Sequence, residues 1–431
     1  MKIWLLFFLL GDVVMSKFLI NGGKKLFGEI EIPSAKNSYL ALMAACILVD
    51  GKIYLHKYPG FLDTENMCKI LSYLGIEIKK TEDNLIVDSS SIKDFCLPHE
   101  LTSLVRSSIF TLGAIIGRFK KAKIAYPGGC EIGARPIDIH IDGLKKLGVK
   151  IIERHGYIYC DASQMHNADI TLDFPSVGAT ENLVMASVLC EGVTKLYNCA
   201  KEPEIVDLQN FLNKMGAKIS GAGTERITIE GVKKLASGEY TPITDRIIAG
   251  TYMIATAMCG GEVLFKSIKP AYMQSFISKL EQSACQIEAR CDSIKVQSDG
   301  KLNSLQKIET SVFPGIPTDL QAQLMAMQCV SQGSCMIVEN LFESRFKHVP
   351  ELIKMGANIY IKDRIAIVKG VDKLFGADVY GADLRGTAAL VLAGLVANGY
   401  TTVNNVYHVD RGYNHIEKDL SLLGADIKRV D

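Results

Sequence analysis

Apolar and polar positions along the 431-residue chain fall into one pattern that returns six times. Each copy ends an amphipathic helix, sets a glycine where the helix must stop, and runs on into a strand: L-x-x-[LM]-G-x-x-I. The copies lie at 71–78, 144–151, 212–219, 352–359 and 420–427, with a degenerate one, LEQSACQI, at 280–287. Their cap positions, Gly75, Gly148, Gly216, Ala284, Gly356 and Gly424, stand 68 to 73 residues apart. Glycine is expected at such a cap because it enters the left-handed region cheaply. Ahead of the motif, a small-residue apolar helix ends near a glycine and a β-rich segment follows, as at 188–197, 258–265 and 396–403.

The unit therefore reads strand, helix, strand, helix, strand. Six such units predict an α/β architecture with helices packed on sheets. The period is too long for an ordinary solenoid of roughly 20–45-residue repeats. Two groups of three units give two similar domains, with the seam near 241–245 and a cleft between them as the natural substrate site.

Composition narrows the function. A net charge of +1 argues against a general nucleic-acid binder. The 12 cysteines include no C-x-x-C pair, which speaks against a structural metal and fits a reducing cytosol. Residues 3–10, IWLLFFLL, form an apolar run far short of the ~20 residues that span a bilayer. No A-x-A cleavage pattern follows it, and a second methionine stands at Met15. Residues 1–14 are expected to be a non-native extension with translation starting at Met15. A targeting segment and a buried apolar strand are the other two readings.

The unusual residues gather in loops before helices. PGGCEIGARP at 127–136 places the thiol of Cys130 near the guanidinium of Arg135 between glycines and prolines. Reactive cysteines sit in exposed, electropositive loops of this kind, although a plain glycine-rich turn fits the same residues. Lys36, Arg106, Arg135, Arg345, Arg385 and Arg411 all lie in loops or at helix starts. Arginine forks suit carboxylate and phosphate oxygens, so several in one cleft would match a polyanionic small substrate. Asp319, after FPGIPT, reads locally as a helix cap whose free oxygen can face a substrate hydroxyl. Ser176 opens a helix whose N–H groups can meet phosphate oxygens. No Walker A sequence, no G-x-G-x-x-G after a strand and no H-E-x-x-H occurs. His140 and His348 are lone histidines and read as structural.

Taken together, SAKN at 34, PGGCEIGARP at 127, EPEIVD at 202, GTERITIEGV at 223, PTDLQAQ at 317, FESRFKHVPEL at 342, DLRG at 383 and YHVDRGY at 407 closely resemble the enolpyruvyl transferase family. The resemblance runs from about Lys17 to the C-terminus and favours the branch that uses a nucleotide sugar. It implies two inside-out α/β domains, each of three βαβαββ repeats. One would hold about residues 36–243 with the Cys130 loop, the other about 15–35 with 244–431. The implied reaction moves the enolpyruvyl group of phosphoenolpyruvate to the 3-hydroxyl of UDP-N-acetylglucosamine and releases phosphate. That is the first committed step of cytoplasmic peptidoglycan synthesis, with consequences for cell shape and division.

The resemblance also assigns residues. Lys36 and Asn37 match the pair that meets phosphoenolpyruvate, and Arg411 a further contact to it. Cys130 matches the proton donor, open to a covalent phosphoenolpyruvate adduct and to alkylation by fosfomycin. Arg106, Arg135, Pro136, Ile137, Asp138, Ile139, Ser176, Val177, Gly178 and Leu341 match nucleotide-sugar contacts. Asp319 matches the residue facing the sugar hydroxyl, and Arg345, Asp383 and Arg385 those around the reacting centre. No cofactor, metal, nucleic acid or membrane is implied. The sequence departs from the family's common pattern at Ser344, Ile248, and Phe174 with Pro175. The alternatives are the related transferase acting on shikimate 3-phosphate, a non-catalytic UDP-sugar-binding paralogue, and a cysteine hydrolase built on Cys130.

Overall fold

The repeat is visible directly in the backbone. Gly75, Gly148, Gly216, Gly356 and Gly424 all have φ between 83° and 103°, and Ala284 takes the same conformation at 74°. In the computed structural model, which describes residues 16–128 and 137–430, each cap turns an outer helix into a strand. Residues 1–14 with Met15, and Cys130, Arg135 and Pro136, lie outside the described residues.

Six four-stranded sheets result among the described residues. All share one plan, a parallel pair followed by two antiparallel neighbours. Cys96–Leu97, Lys121–Ala125, Tyr157–Asp161 and Lys150–Arg154 form one such sheet from contiguous chain. The sheets of Asp169–Thr171 and of Lys307–Glu309 are built the same way. The other three borrow a strand. Leu26–Glu31 pairs with Gly261–Lys266, Lys17–Asn21 lies between Tyr400–Asn404 and Asp426–Val430, and Gly238–Tyr240 pairs with Lys52–His56.

Each unit gives one helix buried almost all round and one amphipathic helix, and the two kinds end up in different layers. Lys36–Ala45, Phe110–Phe119 and Val177–Ser187 are buried almost all round in one body; Arg246–Cys259, Gln321–Cys329 and Leu384–Val396 are buried in the other. Such helices, mostly apolar and small-residued with their few polar groups buried too, belong in the interior. Small residues let these inner helices touch: a Cβ on Gly113 would stand 2.2 Å from the Asn182 carbonyl oxygen. The sheets lie outside them, alternating buried and exposed positions, as in Arg226–Glu230. The architecture is the inside-out α/β arrangement.

Two cores follow. One joins residues from Tyr39 to Leu235; the other joins Phe18 through Ile32 with Ile247 through Ile427 and takes in Phe61 from the first segment. The chain crosses between the bodies twice, and the crossings pair with each other. Ser34 bridges Thr244, Ala35 N–H donates to the Ile243 carbonyl at 2.8 Å, and Asp245 N–H donates to the Pro33 carbonyl at 2.8 Å.

Candidate active site

The inner helices begin where the two bodies meet, and their N-termini carry most of the candidate residues. Lys36 opens the first, Ser176 caps the third, and Asp245, Asp319 and Asp383 stand at or next to the starts of the three in the second body. Unsatisfied N–H groups and the helix dipole make such ends attractive to anions.

Asp245 serves two helices at once. One carboxylate oxygen accepts from Ile247 and Ile248 N–H at 2.8 and 2.9 Å, capping its own helix. The other accepts from Lys36 N–H at 2.9 Å, across the seam. Lys36 lacks a cap from its own segment, since Ala35 supplies no side-chain oxygen.

Two ion clusters occupy the cleft. In the first, the Lys36 ammonium pairs with Asp63 at 2.7 Å, and Arg411, from the second body, grips the same carboxylate at 2.9 and 3.3 Å. Burial pushes the Lys36 ammonium down, Asp63 supports it, and Arg385 and Arg411 push it down further. Burial pushes Asp63 up, but Lys36 and Arg411 outweigh that and hold the carboxyl below its usual range. A Cβ on Gly412 would stand 3.4 Å from Lys36 Cδ, so the Arg411 turn packs directly on the lysine.

In the second cluster, Asp319 lies between two buried arginines, Arg345 at 2.5 Å and Arg385 at 2.9 Å. The Asp319 side chain still has 28% of its surface open. Burial pushes its carboxyl up, yet Arg385 and Arg345 hold it far below the ordinary carboxylate range. The local reading of Asp319 as a helix cap fails: it makes no cap bond, because two guanidiniums take its oxygens. Asp383 does cap, accepting from Arg385 and Gly386 N–H at 3.0 Å each, and so fixes where the Arg385 backbone starts. Arg385 also reaches the Tyr413 hydroxyl at 3.4 Å. Behind Asp383, burial pushes the His348 imidazole down to about 4, which keeps it neutral near pH 7.

The residues expected to meet the nucleotide sugar are more open. Arg106 donates to the Pro127 carbonyl at 3.2 Å, at the threshold of the Cys130 loop. Ile137 is buried, while Asp138 and Asn37 are exposed. Ser176 Oγ accepts from Ala179 N–H at 3.3 Å, leaving Val177 and Gly178 in the first turn. A Cβ on Gly178 would stand 3.1 Å from the His140 ring, so the turn is packed tightly from behind. The His140 Nδ1 accepts from Asn182 at 2.8 Å. Leu341 N–H donates to Glu339 at 2.9 Å. Cys130, Arg135 and Pro136 are not placed.

The structure thus brings Lys36 and Arg411 together, and Asp319 with Arg345 and Arg385. Sequence reasoning missed Asp63, which reads as an ordinary acidic residue in a helix's first turn, and the double cap of Asp245. Only the apolar neighbours of Asp63 distinguish it from a solvated helix-start acid.

Known proteins agree with this picture. The family model for EPSP synthase (3-phosphoshikimate 1-carboxyvinyltransferase) matches residues 20–420. UDP-N-acetylglucosamine 1-carboxyvinyltransferase 2 of Caldanaerobacter subterraneus is 48% identical over 416 residues, covering 96% of this chain and 100% of that protein. The Yersinia pestis UDP-N-acetylglucosamine 1-carboxyvinyltransferase is 43% identical over 417 residues, 96% of this chain and 99% of the other. Among solved structures, the enolpyruvyl transferase NikO from Streptomyces tendae superposes with a TM-score of 0.85 at 23% identity, over 96% of this chain and 99% of that one. EPSP synthase from Acinetobacter baumannii gives 0.72 at 15% identity, over 96% and 100%. These two bear on fold alone, but the sequence matches reach further, and the chain belongs to the enolpyruvyl (1-carboxyvinyl) transferase family.

Proposed function

We propose that this enzyme transfers the enolpyruvyl group of phosphoenolpyruvate to the 3-hydroxyl of UDP-N-acetylglucosamine and releases phosphate. One observation carries the reading: Lys36, Arg345, Arg385 and Arg411 come from both bodies and converge around two carboxylates in one cleft. Four cations so placed suit a substrate that brings a phosphate and a carboxylate. The names of the relatives at 43–48% identity supply the second substrate.

The chemistry follows from charge. Protonating the methylene carbon of phosphoenolpyruvate makes the neighbouring carbon electrophilic, and the sugar hydroxyl attacks it. A tetrahedral intermediate forms; it then loses phosphate from one carbon and a proton from the new methyl group, the proton returning to the Cys130 thiolate, and the carbon–carbon double bond of the enol ether is restored. Cys130 is the proton donor in this scheme and therefore keeps its proton near pH 7. Lys36 and Arg411 hold phosphoenolpyruvate, with Asn37 beside them. Asp319 accepts the hydroxyl proton. In the ligand-free arrangement the two arginines make Asp319 a weak base. Phosphate and carboxylate oxygens arriving with the substrate compete for those guanidiniums, and the carboxylate regains basicity as they turn away. Arg106, Arg135 to Ile139, Ser176 to Gly178 and Leu341 hold the nucleotide sugar, the diphosphate lying at the N-terminus that Ser176 caps.

Residues 36–243 act as one domain, and 15–35 with 244–431 as the other, a division supported by the two cores. The enzyme works in the cytoplasm at the first committed step of cell-wall synthesis. Eleven unpaired cysteines among the described residues support a reducing compartment. Among the described residues, no helix is long and apolar enough to cross a membrane.

The test is coupled phosphate release with phosphoenolpyruvate and either UDP-N-acetylglucosamine or shikimate 3-phosphate. Release is expected with the nucleotide sugar. Release with shikimate 3-phosphate alone would move the chain to the other branch of its family, and release with neither would leave a sugar-binding protein.

A further inference from the structure

Apart from the two ion clusters, the chain buries Glu202, Glu204 and Arg246 where the bodies meet. None is used by the mechanism above. Glu202 and Glu204 stand at the start of the first-body helix Pro203–Lys214, and Arg246 opens the second-body helix Arg246–Cys259. Arg246 donates to the two Glu204 oxygens at 3.1 and 3.4 Å. Its guanidinium lies 5.7 Å from the centre of the Phe313 ring, and the Phe313 N–H donates to Glu202 at 3.4 Å. Phe313 begins the segment that ends at Asp319.

We propose that Glu202 and Glu204 of the first body, with Arg246 of the second, form a clasp across the seam that positions Asp319. The segment 313–319 holds Pro314 and Pro317, which have no N–H to donate; its far end is held by Arg345 on Thr318 and Asp319 and by Thr318 on Glu339, and Phe313 attaches its near end. The Phe313 amide ties it to the first body through Glu202, and the Phe313 ring rests against Arg246, the second-body residue that Glu204 holds across the seam. The Thr310–Ile316 bridge and the buried Ile316 tie it to the second. The clasp spans the seam and exists only while the bodies are in contact. Contact between the bodies thereby sets the angle at which the Asp319 turn enters the cleft. Glu202, Glu204 and Arg246 are positioning residues: none touches the reacting atoms.

This inference rests on the proposed reaction, and its test separates the two. Arg246→Ala, Glu202→Ala and Glu202→Gln are compared in the full chain by phosphate release and by amide exchange across 313–320. Arg246→Ala and Glu202→Ala are expected to lower kcat on the order of tenfold to a hundredfold, as small misplacements do. KM for phosphoenolpyruvate should hold, and exchange should quicken across 313–320 but not in Gln321–Cys329. Glu202→Gln keeps an acceptor for the Phe313 amide and should restore most of the rate. In an Asp319→Ala background, Arg246→Ala should cost little more. Equal losses in both backgrounds, or unchanged exchange across 313–320, overturn the clasp. The exchange arm decides the matter even if the wild-type enzyme releases no phosphate, a result that would sink the proposed reaction instead.

Discussion

The two bodies share one fold plan but present their functional residues differently. In the second body, Asp319, Arg345 and Arg385 are interlocked and the arginines are buried before any substrate arrives. In the first, Asn37 and Asp138 are exposed, and Ser176 holds only its own helix turn. The cluster proposed to surround the reacting atoms is preorganised, and the residues expected to take the nucleotide sugar stand open. Preorganised charge costs no rearrangement at the moment of reaction, whereas an open face suits a large substrate that must enter first. Lys36 belongs to neither pattern alone, because its charge partner lies in its own body and its helix cap in the other.

Breaking the preorganised side should have the largest effect. Asp319→Ala is expected to lower kcat by about 10²–10⁴-fold with folding intact, and Cys130→Ser by a similar factor. Cys130→Asp keeps an acid of similar reach, so it should stay active while losing sensitivity to fosfomycin. Rapid-quench measurement of phosphate release checks these, and wild-type turnover by Cys130→Ala across pH 6–9 would remove the thiol from the mechanism.

Asp63→Asn tests the shared lysine. Asp63 is what supports the Lys36 ammonium against burial and two arginines. Without it, Lys36 loses its proton at lower pH, so phosphoenolpyruvate affinity should begin to fall at lower pH than in the wild type. Titration calorimetry across pH 6–9 reads the shift, and superimposable profiles would deny Asp63 that role.

Glu181 offers a smaller effect on stability. It is buried in the first body with neither oxygen hydrogen-bonded, and burial, then Glu204 and Glu202, push its carboxyl well above the ordinary value. A raised folded pKa gives stability that is full below the unfolded value of about 4.3 and is lost as pH rises through the folded one. Glu181→Gln removes that loss, so its melting temperature relative to wild type should climb between pH 5 and pH 8. A constant difference would show that Glu181 does not titrate on unfolding.

The smallest change is expected at the open face. Ser176→Ala removes one cap worth about 1 kcal/mol. KM for UDP-N-acetylglucosamine should rise a few-fold with kcat nearly unchanged. A large loss of kcat would mean that the sugar side is as tightly coupled to the chemistry as Asp319.

The repeat was legible in the sequence because its signal is local. A helix that must end in the left-handed region writes a glycine, and Ala284 adopts φ 74° at the one place where the glycine is missing. The inside-out layering was legible only through family resemblance, since a helix apolar on most sides does not say what surrounds it. The basic residues of the cleft stood out as types, but their pairing did not. Asp63 and Arg411 are 348 positions apart, and no local pattern links them. Asp319 illustrates the opposite failure: its neighbours predict a cap, and two distant arginines override them.

The borrowed strands have a consequence for biosynthesis. Phe18 pairs with Val403 on one side and Arg429 on the other. At about 5–20 residues per second, a ribosome takes roughly twenty to eighty seconds to make those partners after strand Lys17–Asn21 has been translated. The first body can finish within that interval, whereas this strand emerges early and waits with both edges bare. A waiting apolar strand is a template for pairing with the wrong chain. Here Phe18, Leu19 and Ile20 are flanked by Lys17 on one side and by Gly22, Gly23, Lys24 and Lys25 on the other. Such lysines and glycines act as gatekeepers, so the nascent strand's protection against misassembly is written into its own borders.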